Sequence, residues 1–262
     1  MKDEANPRKE QRAIQSVEVG GPLLLALADH PVPMTLKDLA AAVGLTPSRA
    51  HPYLVSFGKL GLVEQDRASG RYALGPAALQ IGLSCLHQSD PLKAATPVAE
   101  ALAAELEHAV AVVVWGNFGP TVVRLIEGRQ PLHVNLRVGA VMSVLGTATG
   151  RAFAAVLPRA ALDAAIASQA GSAASPGKTT VAREVREAAA ELAEHGVARA
   201  MGRPIPGINA FSAPVFDHEG RAALVLTSLG PADSFPADWR SPCAAAVRRA
   251  AEHVSRRLGH RR

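Results

Sequence analysis

Two short stretches of this 262-residue chain hold residue types at spacings suited to recognition chemistry. The first is Thr46-Pro47-Ser48-Arg49-Ala50-His51-Pro52-Tyr53, which follows the turn Val43-Gly44-Leu45-Thr46. A helix opening there has the size to enter the roughly 12 Å major groove of duplex DNA, with its N-terminal residues nearest the base edges. Arg49 could reach guanine O6 and N7 together, a contact worth about 1–3 kcal/mol of discrimination. Ser48, Thr46 and His51 flank it, and Tyr53 is either a contact or part of the core. The second stretch is Gly146-Thr147-Ala148-Thr149, ahead of a helical pattern. Free N–H groups at a helix start, together with the positive end of the helix dipole, form an anion site fit for a carboxylate. The plainer alternative is that Thr147 and Thr149 only cap that helix.

Bond-making chemistry finds no support. The chain has no Gly-x-Ser-x-Gly elbow, P-loop or His-Glu-x-x-His motif, and its nine histidines and two cysteines lack metal-ligand spacing. No catalytic group, metal or cofactor is therefore expected. Cys85 and Cys243 read as small hydrophobes.

The elements that must position these residues are legible from periodicity. Residues 1–14 read as a disordered tail. Leu23, Leu24 and Leu27, then Leu36, Leu39, Ala40 and Val43, recur at helical spacing, and Thr35 stands as an N-cap with Asp38 three residues on. A further helix is expected from Pro47 or Ser48 to Leu60, stopped by Gly61. The runs 62–66 and 71–74 flank Arg67-Ala68-Ser69-Gly70 and form a hairpin. Two helices, a polar turn and a small hairpin make a winged helix-turn-helix over 15–75. Arg67 and Arg71 on the wing, and Thr35 and Lys37 on the preceding helix, suit backbone phosphates. A helical dimerisation or protein-contact module is the other reading of the same pattern.

A connecting helix follows over 76–89, then a second domain over 90–262. Asp90-Pro91 opens its first helix as N-cap and first helical residue. Strands are expected at 110–115, 121–126, 132–138, 197–202, 208–216 and 222–229, with helices near 147–157, 159–168, 180–195 and 239–258. Six strands in runs rather than strict alternation argue an α+β domain with a mainly antiparallel sheet.

The chain carries 28 Lys and Arg against 23 Asp and Glu, with 48% hydrophobic residues, enough apolar mass for a large core. Residues 1–74 carry a net charge of +1, residues 75–239 of −2, and residues 240–262 of +6. The basic excess therefore sits at the C-terminal end, including Arg248, Arg249, Arg256 and Arg257, and bulk charge is weak evidence for DNA binding. The longest apolar runs fall far short of the roughly 20 residues that span a bilayer. With no hydrophobic leader in the first twelve residues, a cytoplasmic chain away from membranes is expected.

An ordered series of motifs then resembles the IclR-type transcriptional regulators. It comprises Gln15-Ser16-Val17-Glu18, Gly70-Arg71-Tyr72, Leu74-Gly75-Pro76, Arg137-Val138-Gly139, residues 147–152 (Thr-Ala-Thr-Gly-Arg-Ala), Pro206-Gly207, residues 213–217 and Gly230-Pro231. The resemblance spans residues 15–258. It implies a DNA-binding winged helix, a linker helix, a GAF/profilin-like domain holding a small organic acid, and dimers that often pair into tetramers on operator DNA. It also implies that the amides of Ala148 and Thr149 hold the effector carboxylate, beside Gly146 and Thr147. The pocket walls would come from the strand with Ile208 and Ala210 and the strand with Thr227. Trp115, Met142, Ser143 and Asn209 are further candidates, Trp115 with buried packing as its alternative role. Alanine at 210, where some relatives carry a polar or thiol group, points to a more apolar effector, such as an aromatic carboxylate.

Two departures from the family pattern bear on geometry. Gly20-Gly21-Pro22 replaces a long side chain in the first helix, so that helix is expected to begin near Pro22 or kink there. Pro52 stands where the family commonly has arginine, so the recognition helix is expected to kink or to lose a bond and a phosphate-binding cation. A small-molecule sensor or assembly module with impaired DNA reading is the competing function. A hydrolase or isomerase acting in the pocket lacks a nucleophile–base pair.

Overall fold

The computed structural model describes residues 13–130, 134, 136–170 and 177–261. The expected tail thus lies largely outside the described residues. The chain divides into two compact units between Gln88 and Ser89.

The first unit holds α1 (Gln15–Asp29), α2 (Leu36–Ala42), α3 (Pro47–Lys59), β1 (Val63–Gln65), β2 (Tyr72–Leu74) and α4 (Pro76–His87). Leu23 and Leu27 of α1, Leu39 and Ala40 of α2, and Ala50 and Leu54 of α3 close on one core with Met34, Val63 and Tyr72. Leu23 with Leu27 and Ala50 with Leu54 are i, i+4 pairs that share a helix face. β1 and β2 pair antiparallel, Val63 opposite Leu74, and Met34 exchanges both backbone hydrogen bonds with Tyr72.

One proline expectation is corrected: α1 starts at Gln15 and not near Pro22, which lies inside it. α3 starts at Pro47, with Thr46 as N-cap and not Ser48, and continues through Pro52 to Lys59 with the expected loss of a backbone bond. An interior proline costs a helix about 3 kcal/mol through the lost bond and ring clash. Pro22 and Pro52 both face solvent, so each bond is lost on the wet side, where water can take the carbonyl. The apolar faces of both helices stay seated in the core and hold the helices together.

The second unit holds α5 (Pro91–Leu106), β3 (Ala109–Gly116), β4 (Gly119–Ile126), α6 (Ala148–Val156), α7 (Arg159–Ala170), α8 (Lys178–His195), β5 (Ala198–Met201), β6 (Ile208–Phe216), β7 (Ala222–Pro231) and α9 (Pro242–Arg257). Its sheet is five-stranded and antiparallel, in the order β4-β3-β7-β6-β5. Alternate residues of β3 feed opposite faces. Val110 and Val112 join a core with α5 and α9, while Ala111 and Val113 join another with Ala152 and Phe153 of α6. A sheet covered on both faces explains why β3 reads as an unbroken apolar run.

Among the described residues the sixth strand expected at 132–138 is not seen. Residues 131–133 and 135 lie outside the described residues, and Val134 and residues 136–138 carry no strand. The sheet's partner in this region is instead Val141, which makes one bridge to Thr121.

Candidate functional site

In the first unit the turn between α2 and α3 uses Gly44 at φ +69°, a left-handed conformation that glycine adopts without a Cβ penalty. This turn fixes α3 so that Ala50 and Leu54 face the core and Thr46, Ser48, Arg49, His51 and Pro52 are exposed. Arg49, His51, Lys37 and Arg67 all present exposed side chains. Three of the expected contacts already have structural work. The Thr35 hydroxyl accepts from the Asp38 amide, and donates to the Asp38 carboxylate at 2.7 Å, so it caps α2. The Arg71 guanidinium donates to the Pro33 carbonyl at 3.1 Å. Tyr53 is half-buried, and its ring lies against Gly20 of α1, where a Cβ would meet Tyr53 Cδ1 at 2.7 Å and Phe57 Cζ at 3.1 Å. The glycine in α1 is therefore matched to the aromatic pair of α3. Tyr53 is a packing residue that sets the angle between these helices.

Asp66 shapes the wing. Its carboxylate accepts from the amides of Ala68 and Ser69 and from the Ser69 hydroxyl. Those bonds, the hydroxyl's foremost, favour the ionised form and hold the carboxyl below its ordinary value.

In the second unit α6 ends against the sheet at a small cavity of about 80 Å³. Its lining includes Met142, Thr147, Ala148, Thr149, Ile208, Ala210 and Thr227 among the expected residues, and adds Leu136, Ala200, Arg203, Pro204, Ile205 and Leu229. Thr147 is the N-cap of α6: its hydroxyl accepts from the Gly150 amide at 2.9 Å and donates to the Ser143 carbonyl at 2.8 Å. The third amide of the helix is thereby taken. Those of Ala148 and Thr149 have no hydrogen-bond partner among the described residues, so two adjacent donors remain at the cavity. Gly150 permits this geometry, because a Cβ there would lie 2.2 Å from the carbonyl oxygens of Ser143 and Val144.

Thr149 itself does not cap. Its buried hydroxyl lies 2.8 Å from that of Thr227 and 3.4 Å from that of Ser212, and those two are 2.7 Å apart. Three hydroxyls offer three donors and three acceptors, so the ring satisfies itself without water. It ties α6 to β6 and β7 at the cavity floor. On the outer side of α6, Arg151 reaches Glu184 at 3.1 Å and Glu191 at 2.7 Å on α8.

Four expected pocket residues, Trp115, Ser143, Gly146 and Asn209, lie elsewhere. Trp115 packs edge-on against Phe153 with centroids 5.3 Å apart. Ser143 forms the turn before α6, its hydroxyl accepting from the Gly146 amide, and neither residue lines the cavity. Asn209 donates to the Phe235 carbonyl at 2.9 Å and faces away from the cavity. The charged residue among those missed was Arg203, exposed at the cavity. It is the only charge between Ala200 and Phe216, in a Gly/Pro-bounded turn joining two strands, and that isolation was a usable signal.

A winged helix with an exposed polar face, followed by a domain that offers unpaired amides in an apolar cavity, defines a ligand-responsive transcriptional regulator. Comparison with known proteins agrees. Residues 16–67 match the IclR helix-turn-helix domain, and residues 83–256 match the bacterial transcriptional regulator IclR C-terminal domain. The glycerol operon regulatory protein of Streptomyces griseus is 30% identical, with 95% of this chain and 98% of that protein aligned. The regulator KipR of Bacillus subtilis is 26% identical over 90% and 94% of the two chains. Among solved structures, Pseudomonas aeruginosa HmgR superposes with a TM-score of 0.85 at 34% identity, covering 94% of this chain and 99% of that one. The chain belongs to the IclR family of bacterial transcriptional regulators. These relatives are regulators and not enzymes. Among the described residues no helix is long and apolar enough to cross a membrane.

Proposed function

We propose that this regulator reads operator DNA with α3 and answers to a small organic carboxylate held at the start of α6. The observation that carries the second half is the pair of open amides at Ala148 and Thr149, two residues that line a mostly apolar cavity. A carboxylate there satisfies both donors at the positive end of α6, with Arg203 at the cavity as the nearest side-chain cation. At roughly 10–15 Å³ for each water-sized group, 80 Å³ suits about five to eight heavy atoms. That is the scale of a short-chain acid, with benzoate, one ring and its carboxylate, at the upper limit and phenylacetate above it. The apolar walls from Met142, Ile208, Ala210 and Leu229 favour a hydrocarbon body over a second polar group.

For DNA, Arg49 is the proposed base-reading residue, with Ser48, Thr46 and His51 beside it and Lys37 and Arg67 on phosphates. The unbroken course of α3 through Pro52 supports groove reading over the assembly-module alternative. A homodimer is the proposed working form. Every residue of α4 is at least partly exposed, including Leu79, Ile81, Leu83 and Leu86. A second copy is the simplest cover for such a helix, and it would place two recognition helices about one DNA turn apart. Effector then acts by binding one arrangement of the dimer more tightly than the other.

The test is an electrophoretic shift on DNA from around the protein's own gene at stated salt, with benzoate, phenylacetate and pyruvate as trial effectors. Specific retardation altered by one of these acids is expected. No specific retardation under any condition would defeat the DNA reading, and unchanged retardation with no calorimetric binding of the acids would defeat the effector reading.

A further inference from the structure

β5 is shorter than its neighbour and covers β6 only from Asn209 to Ser212. Beyond Ser212 no strand among the described residues covers the outer edge of β6, and a groove of about 690 Å³ opens there between α8 and α9. Its floor is apolar, from Leu192 and Ala193 of α8, Pro214 and Phe216 of β6, and Ala251 of α9. Pro214 offers no N–H to an incoming strand, which disfavours pairing with another chain's edge. The rim is cationic. Arg248 and Arg256 stand two turns apart on α9, with His260 and Arg261 beyond, against the single carboxylate of Glu252. Glu252 and Arg261 have partners of their own, and His260 Nδ1 lies 3.2 Å from the Asp217 carbonyl. Arg249, one residue on, points away and pairs with Glu105 at 2.8 Å. The stem of Arg248 is held in place, because Gly196, at the left-handed end of α8, leaves room for it: a Cβ there would lie 2.7 Å from Arg248 Cδ.

We propose that this groove is a second ligand site, for an amphipathic organic anion with a carboxylate head and a hydrocarbon tail too long for the α6 cavity. The tail lies along Leu192, Ala193 and Phe216, and the carboxylate sits between Arg248 and Arg256. The size is that of an ordinary small-molecule cleft, roughly 300–1,000 Å³. Apolar floor and charged rim are the two features that such a ligand needs, since either alone would leave half of it unmatched. The assignment also gives a purpose to the basic C-terminal helix, which lies outside both the DNA-reading unit and the α6 cavity.

The probe is decanoate, titrated calorimetrically into the full-length protein, with 1-decanol as the uncharged control. One saturable site is expected, at least tenfold weaker for decanol. The double variant Arg248→Glu/Arg256→Glu and the groove-filling Ala193→Trp should each weaken decanoate at least tenfold, both at exposed positions where folding is retained. Thr149→Val, in the other cavity, should leave it unchanged, so failure here is distinguishable from failure of the α6 reading. The proposal is overturned by the absence of saturable binding, by equal binding of decanol, or by indifference to both groove variants. A changed sedimenting mass in the charge-reversed protein would make the groove an interface between copies and overturn it equally.

Discussion

The two units differ in what they offer a partner. The first presents exposed side chains of α3 and the wing, on a core of leucines, small residues, Met34 and Tyr72. The second, in the proposed reading, offers main-chain amides at a cavity assembled from α6, β5, β6 and β7. Side-chain recognition tolerates changes in the scaffold as long as the helix is presented. Amide recognition does not, because the donors cannot be moved without moving the backbone. The glycine that each unit depends on shows the contrast. Gly20 makes room for rings that can turn, whereas Gly150 makes room for carbonyl groups that cannot.

Breaking that contrast begins with Gly150→Val. Two backbone oxygens stand 2.2 Å from the new Cβ, so unfolding stability should fall by about 3 kcal/mol, the upper end for overpacking. Carboxylate binding by calorimetry should vanish while DNA retardation without effector persists. Gly20→Val meets only side-chain carbons of Tyr53 and Phe57 and should lose about 1–2 kcal/mol, with weakened DNA retardation and normal carboxylate binding. If both variants damage both activities equally, the division of labour is wrong.

Arg49→Ala should weaken specific DNA binding by about 10- to 100-fold if the arginine reads a guanine, with calorimetric carboxylate binding unchanged. Lys37→Ala and Arg67→Ala should instead lower the salt slope of binding by about one each, uniformly across sequences. A sharper comparison uses the same chemistry twice. Thr35 and Thr147 are both N-caps through their hydroxyls, so either change to alanine should cost about 1 kcal/mol of stability. Only Thr147→Ala, which releases the Gly150 amide beside the cavity, should alter carboxylate affinity.

The smallest effect expected is with acid. Asp66 in the wing is held below its ordinary 3.8 by bonds from Ser69 and Ala68. In Asp217, partial burial alone would raise the carboxyl, but the amides of Arg221 and Glu219 and the Arg221 guanidinium together bring it below 3.8. For both, the folded value lies below the unfolded one. Their stabilisation is therefore full above the ordinary value and is lost as pH falls through the lowered one. Unfolding curves from pH 6 down to pH 3 should show a shallower acid decline in Asp66→Asn and Asp217→Asn than in the parent protein.

Much of the fold was legible because it rests on local signals. Thr35 and Asp90 placed the starts of α2 and α5, and the spacing of Leu23, Leu27, Leu39 and Leu54 marked the buried faces of three helices, although not where α1 begins. Pro22 misled as a helix start, since a propensity penalty says nothing of which face it falls on, and Pro22 falls on the wet one. The strand expected near 132–138 rested on alternation alone, and alternation does not say whether a sheet has an edge free to receive it. The cavity was half legible: the α6 segment announces itself, but Arg203, Ala200 and Leu229 become its neighbours only through sheet register.

By itself, the order of residues determined the helices, the turn at Gly44, the cap at Thr147 and the kinship of the chain, because each depends on groups a few positions apart. Tertiary structure alone decided that Thr149, Ser212 and Thr227 share one ring of hydroxyls, that Gly20 answers Tyr53, and that the basic end of the chain overlooks an unpaired strand edge. These contacts join residues dozens of positions apart, and no local periodicity encodes a distance that only the packed sheet creates.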